Sequence, residues 1–177
     1  MRERFFEGVL SREQLHALIV DAERPLLRET IDIENQIQPN GVDLTLREVH
    51  RHVGGGVVGL SSDDRVLPEL ELLPFDSEGW LTLTPGSYHI LYNEIVDIPE
   101  TLMALGRPRS SLNRCGVTIH TAVWDAGYEG RSTSMLVVSN PAGFRVQRDA
   151  RVMQLIFLGM SEATAEGYRG RYQLENL

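Results

Sequence analysis

From about Ile37 onward the chain alternates. Short period-two runs recur at Val42–Leu44–Leu46, Leu81–Leu83, Tyr88–Ile90–Tyr92, Thr118–His120, Met135–Val137 and Val152–Gln154–Ile156, bounded by Gly, Pro, Asn and Asp. A period of two suits strands with one buried face, and frequent turn signals between such runs point to an all-β sandwich or barrel. A helix precedes them. Ser11 with Gln14 three residues on fits a capping box, and Leu15, Leu18, Ile19 and Ala22 form one apolar stripe running to about Glu23, before Pro25. A second short helix is expected at Pro99–Leu105, before Gly106. The stretch His52–Asp64, with its GGG and SSDD, reads as a loop or hairpin, and the tail Glu166–Leu177 has no clean period and is expected outside the core. With 177 residues and 42% apolar residues the chain can build one core without staples. The single cysteine, Cys115, excludes a disulfide framework and a multi-cysteine zinc site, and is expected to pack inside.

Charge narrows the function classes. The net charge is −8, which disfavours binding to a nucleic-acid backbone. All 17 cations are arginine, so Schiff-base lysine chemistry and a P-loop lysine are excluded. Phosphate would have to be met by arginine forks, hydroxyls and backbone amides. No run reaches the roughly 18 apolar residues of a membrane span. The charged start MRERFFEGVL is unlike a secretory signal, so a cytoplasmic location is expected.

Four segments could carry chemistry. Pro39-Asn40-Gly41 turns the chain and delivers Asp43 onto an apolar strand; its plainer reading is a turn followed by a solvent-facing carboxylate. The run from Gly106 to Arg114 packs Arg107, Arg109, Arg114, Ser110 and Ser111 into nine residues, either an anion site or a solvated turn with a serine cap. Trp124-Asp125-Ala126-Gly127-Tyr128-Glu129-Gly130 forms a tight hairpin whose Asp125 could serve as a general base, or only as turn chemistry. In Arg151–Phe157, strict alternation sets Arg151 and Gln154 on opposite faces, with Gln154 turned inward in what is otherwise a core strand. His50 and His52 share one strand face, but no third ligand is evident in the sequence.

Taken in order, PNGVDL, PRSSL, WDAGYEG, RVMQLIF and the tail YRGRYQ resemble the motifs of the trimeric dUTPase and dCTP deaminase family over roughly residues 37–177. The PNGVDL and PRSSLNR forms and the long N-terminal part resemble the deaminase-like branch. The resemblance implies a distorted jelly-roll β-barrel with a short N-terminal helix, spanning residues 1–165, and a mobile closing segment at 166–177. It implies a homotrimer with sites shared between subunits, a deoxynucleoside triphosphate substrate and Mg²⁺ on the phosphates.

The same resemblance supplies roles. Asp125 would activate a water against the α-phosphorus. Tyr128 would pack on the deoxyribose and disfavour a ribose 2′-hydroxyl, and the backbone from Ala122 to Tyr128 would read the uracil edge. Arg109, Ser110, Ser111 and Arg114 would bind phosphate, as would Gln154 from a neighbouring subunit. Asp43 would act on the metal through water, and Arg171, Tyr172 and Gln173 would close over the triphosphate. The family's deaminases carry a proton-shuttling glutamate five residues past the hairpin's closing glycine. Counting from Gly130, that place holds Met135, and RSTSMLVVSN contains no carboxylate. The expected activity is therefore hydrolysis of dUTP to dUMP and pyrophosphate. A dCTP deaminase using Glu129, or a non-catalytic nucleotide-binding regulator, are the alternatives.

Overall fold

A computed structural model describes residues 7–177; the charged residues 1–6, part of the start weighed above as an export signal, lie outside the described residues. In chain order the elements are β1 (Gly8–Val9), α1 (Arg12–Ile19), β2 (Leu27–Arg28), α2 (Ile33–Gln36), β3 (Ile37–Gln38), β4 (Gly41–Val53), β5 (Glu69–Leu72), β6 (Trp80–Leu83), β7 (Gly86–Asp97), β8 (Leu102–Pro108), α3 (Ser110–Arg114), β9 (Val117–His120), β10 (Val123–Trp124), β11 (Glu129–Val138), β12 (Phe144–Gln147) and β13 (Arg151–Gly159). The main sheet runs β10-β8-β13-β4-β7-β11-β9, and its pairs along this path are antiparallel. Strand β4 joins its two halves. Its first half, Val42–Thr45, pairs with β13, and its second, Leu46–Arg51, pairs with β7. One strand thus passes from one layer to the other, and the sheet curls around a core of Leu44, Leu46, Ile90, Tyr92, Leu136, Leu155 and Phe157.

The alternation expected for Val42–Leu44–Leu46 and Tyr88–Ile90–Tyr92 is the inward face of these strands. The capping box at Ser11 and Gln14 is present, but α1 ends at Ile19, four residues short of the expected Glu23. There Leu26 N–H bonds back to Leu18 O, folding the chain against its own helix. The helix expected at Pro99–Leu105 does not form. Leu102 starts β8, which pairs with β13 from Leu102–Gly159 to Pro108–Met153, and Leu102 and Ala104 face the core. Helix propensity is a weak prior that sheet pairing overrides here. Cys115 is exposed at the end of α3, not packed inside as expected. The stretch His52–Asp64 combines the end of β4, the β4–β5 hairpin and a 3₁₀ turn at Ser62–Asp64. Among the described residues no helix is long and apolar enough to cross a membrane.

Candidate active site

Two groups of the expected residues sit at opposite ends of β8. The first is built where β4 meets β13. The Asn40-Gly41 turn admits no side chain at Gly41, because a Cβ there would lie 2.6 Å from Leu155 O and 3.0 Å from the Gln154 side chain. Asp43 is 1% exposed; its Oδ2 forms an ion pair with Arg109 Nε at 3.1 Å and accepts from Arg151 Nη1 at 3.4 Å. Arg151 Nη1 also bonds Asn35 O, and Arg109 Nη1 donates to Arg151 O at 3.4 Å. Asp43 is therefore not the solvent-facing turn carboxylate of the plainer reading. Burial pushes its pKa up, and the two guanidinium groups oppose that shift. Ser110 and Ser111 follow Arg109 with exposed side chains. Arg114 is exposed at the end of α3, and no hydrogen bond or ion pair among the described residues joins it to Asp43.

Gln154 is the residue that alternation misplaces: the core face of β13 is Met153, Leu155 and Phe157. The β13–β4 register shifts between Arg151 and Met153, and Val152 and Met153 are both buried. A bulge of this kind inserts one residue and resets the faces. Arg151 opposite Thr45 and Gln154 opposite Asp43 thereby share one face. Gln154 is half-buried on that face and does not point into the core.

Beneath this group lies a buried polar frame. Glu94 is fully buried, and it accepts from Thr45 N at 2.9 Å, Thr45 Oγ1 at 2.6 Å and Gln36 Nε2 at 2.7 Å. Gln36 Nε2 also donates to Asp43 O at 2.8 Å. Burial raises the Glu94 pKa, and these donors hold it down. The frame pins β4 where it changes partners, and so fixes the backbone that presents Asp43.

The second group surrounds the turn between β10 and β11, which is not the tight hairpin expected: β10 pairs with β8, whereas β11 pairs with β7 and β9, because the chain changes sheet neighbours at Asp125–Tyr128. A pocket of about 280 Å³ is lined by Ala122, Trp124, Asp125, Tyr128, Ser132 and Thr133, and by Tyr168, Tyr172 and Glu175 from the tail. Asp125 is exposed at its rim, and no hydrogen bond or ion pair of its carboxylate occurs among the described residues. Tyr128 is 6% exposed. Glu129, the alternative proton shuttle, faces away: Arg28 Nη2 donates to its Oε1 at 2.6 Å, and Arg24 lies 3.8 Å from its Oε2. The tail crosses the β10–β11 turn closely, since a Cβ at Gly127 would come within 2.6 Å of Gly167 Cα. Gln173 Nε2 donates to Gly127 O at 3.0 Å, and Glu129 N donates to Gln173 Oε1 at 3.1 Å. Gln173 thus holds this turn, while Tyr172 lines the pocket and Arg171 is exposed. Glu175, Ser132 and Trp124 were not anticipated as pocket residues, and nothing local in the sequence marks Glu175.

The two groups are far apart on one chain. Val123 pairs with Leu105 and Trp124 with Ala104, so Asp125 falls opposite Met103. Arg109 lies further along β8, about 20 Å at the usual rise per residue.

Register also gathers histidines that looked scattered. His50 lies opposite His89, and His89 and His120 both lie opposite Met135. The His89 ring stands edge-on to His50 at 6.0 Å and to His52 at 6.1 Å. The rings do not converge, and among the described residues no three His, Cys, Asp or Glu side chains are placed to hold a metal. Burial, then the neighbouring His50 and His52, lower the His89 pKa to about 4. Glu48 Oε2, 3.4 Å from His50 Nε2, is the nearby carboxylate. An unfolded imidazole titrates near 6.5, so between pH 6.5 and 4 the unfolded chain binds a proton that folded His89 refuses, and stability falls as pH falls. The window corresponds to about 3 kcal/mol at most. Urea midpoints at pH 7 and pH 4.5 are expected to converge in His89→Gln relative to the parent; equal losses in both proteins would count against this account.

Comparison with known proteins resolves the lineage. Residues 9–160 match the dCTP deaminase-like family. The chain belongs to that family. Within it, the chain is similar to proteins named probable deoxyuridine 5′-triphosphate nucleotidohydrolase from Methanosarcina mazei, 51% identical over 96% of this chain and 98% of the relative, and from Archaeoglobus fulgidus, 46% identical over 96% and 98%. It is 34% identical to the deoxyuridine 5′-triphosphate nucleotidohydrolase of Methanocaldococcus jannaschii, over 78% of this chain and 90% of that one. The fold is similar to the crystal structure of 2′-deoxycytidine 5′-triphosphate deaminase from Agrobacterium tumefaciens, with a TM-score of 0.61 and 21% identity, covering 85% of this chain and 48% of the other. The curled antiparallel barrel is thus the jelly-roll scaffold of the dCTP deaminase-like family.

Proposed function

We propose that this member of the dCTP deaminase-like family hydrolyses dUTP to dUMP and pyrophosphate. One observation carries the reading. The free carboxylate beside the pocket is Asp125, whereas the strand position of a deaminase glutamate is Met135 and the substitute Glu129 is tied to Arg28. Asp125 takes the proton of a water as it attacks the α-phosphorus, and the oxygen–phosphorus bond to the leaving pyrophosphate breaks. Tyr128 backs the deoxyribose, the backbone from Ala122 to Tyr128 reads the uracil edge, and Arg109, Ser110, Ser111, Arg114 and Gln154 take the phosphates. The relatives named as deoxyuridine triphosphate nucleotidohydrolases support the substrate.

Asp43 does not fit a metal role. Its Oδ2 is engaged by two arginines and it is 1% exposed. Its place is to aim Arg109 and Arg151. Mg²⁺ belongs to this reaction as part of the substrate, carried on the triphosphate oxygens.

The separation of the two groups along β8 supports a site completed by another copy of the chain. Phosphates of one nucleotide lie only a few bonds apart, so a substrate reaching Asp125 of one subunit meets the Arg109 group of its neighbour. A homotrimer closes three such shared sites by rotation. Tyr168 and Tyr172 of the tail 166–177 roof the pocket, and the segment that carries them must lift to admit nucleotide while Leu174–Asn176 stay bonded to β11; Arg171 and Tyr172 then close toward the phosphates.

The test is incubation of the purified protein with Mg·dUTP and with Mg·dCTP, scoring pyrophosphate and ammonia together. Pyrophosphate from dUTP without ammonia from dCTP is the expected result. Ammonia from dCTP would return the reading to a deaminase.

A further inference from the structure

The pocket floor carries a hydrogen-bonded row that the proposed mechanism does not use. Trp124 Nε1 donates to Ser132 Oγ at 2.6 Å, Ser132 Oγ and Tyr128 OH are 3.2 Å apart, and Tyr128 OH donates to Glu175 Oε1 at 2.9 Å. Glu175 belongs to the tail, yet its backbone is pinned to β11: Arg131 N donates to Glu175 O at 2.9 Å, and Leu174 N donates to Glu129 O at 2.7 Å. Asn176 and Arg131 bond each other twice, through Arg131 Nε to Asn176 O and Asn176 Nδ2 to Arg131 O. Leu174 and Asn176 adopt φ of 61° and 56° to allow this. Such backbone persists in non-glycine residues only where the surroundings over-determine it.

These contacts confine one aromatic ring. The phenol of Tyr128 lies against the backbone at Gly130, where a Cβ would stand 2.7 Å from its oxygen. Glu175 holds the oxygen, and Tyr168 packs edge-on at 5.8 Å. A ring rejects an added hydroxyl only if it cannot yield. A loose ring would swing by a fraction of an ångström and accept the larger sugar. The stiffness of the ring, rather than its presence alone, therefore sets the discrimination.

We infer that Glu175 is a specificity-determining residue that tethers the Tyr128 ring and so enforces rejection of a ribose 2′-hydroxyl. The inference rests on the proposed dUTP hydrolysis. It assigns to the last residues of the tail a task separate from phosphate closure, and it accounts for the bond from the phenol to Glu175.

The experiment compares kcat/KM for Mg·dUTP and Mg·UTP in the parent, Glu175→Ala and Glu175→Gln. A pocket that excludes a single hydroxyl by shape discriminates by about a hundredfold. Glu175→Ala is expected to lower the dUTP/UTP ratio about tenfold. Glu175→Gln, whose amide oxygen still accepts the phenol hydrogen, is expected to keep the parent ratio. An unchanged ratio in Glu175→Ala overturns the tether while leaving the dUTPase reading intact. A parent that does not turn over dUTP overturns that reading instead. Ring motion gives a readout independent of turnover: NMR of ring-labelled tyrosine should show Tyr128 flipping slowly in the parent and in Glu175→Gln, and fast in Glu175→Ala. Equal flipping in all three overturns the tether whether or not the protein is active.

Discussion

Asp125→Asn is expected to lower kcat for dUTP by about 10³- to 10⁴-fold, near the upper end of what a positioned general base contributes. That equals about 4–5 kcal/mol of barrier at 1.36 kcal/mol per decade. The change is nearly isosteric and removes only the proton acceptor. Asp125 is exposed, and none of its side-chain atoms is bonded within the described chain, so the fold has nothing to lose there. Folding stability should move by no more than about 0.5 kcal/mol. Affinity for a non-hydrolysable dUTP analogue should stay within about twofold of the parent, because the lost interaction belongs to the transition state. Single-turnover rates and analogue titration, made side by side, check both halves. A fall in kcat smaller than tenfold would remove Asp125 from the role of base.

Arg109→Ala is expected to damage both fold and turnover. It strips the closer of two cations from Asp43, a carboxylate that is 1% exposed. Leaving a buried charge short of its partner costs about 3–5 kcal/mol in fully buried pairs. Arg109 is 31% exposed and Arg151 remains, so about 2 kcal/mol is the better expectation here. The loss of a phosphate fork should lower kcat/KM about a hundredfold, at 1.5–3 kcal/mol for a charged hydrogen bond. Adding Asp43→Asn removes the orphaned charge and should restore most of the stability without restoring kcat/KM. If both recovered together, Arg109 would matter only to the fold. Co-expressing Asp125→Asn and Arg109→Ala subunits tests the shared site. In a trimer with sites between neighbours, random mixing leaves one competent site in each mixed trimer, about a quarter of parental activity overall. A site contained in one chain would show no recovery.

Much of this candidate site is legible in the sequence. Asp43, Arg109, Asp125 and Tyr128 stand in short segments whose turn residues and order carry their own signal. The β4 and β7 faces followed from period two, and the start of α1 followed from Ser11 and Gln14. What failed did so for identifiable reasons. Alternation turns Gln154 into the core and away from Arg151, whereas the bulge at Val152–Met153 leaves both on one face outside it. Local propensities favour a helix at Pro99–Leu105 because they do not register that β13 pairs with Leu102–Pro108. The sequence leaves Glu129 open as a proton shuttle, and only the fold brings Arg28, distant in sequence, to hold it. His89 joined His50 only through the β4–β7 register.

The sequence by itself determined the inward faces of β4 and β7, the absence of lysine and of a carboxylate at Met135, and the order of motifs that marks the family. These are properties of neighbours along the chain, where side-chain period and turn chemistry act over a few residues. Only the tertiary structure decided which face of β13 is inward, that Asp43 is buried between two arginines, that Gln173 and Glu175 brace the β10–β11 turn, and that Asp125 and Arg109 stand at opposite ends of β8. Those arrangements depend on register, bulges and chain crossings between segments distant in sequence, and a bulge of one residue is enough to turn every side chain beyond it to the other face.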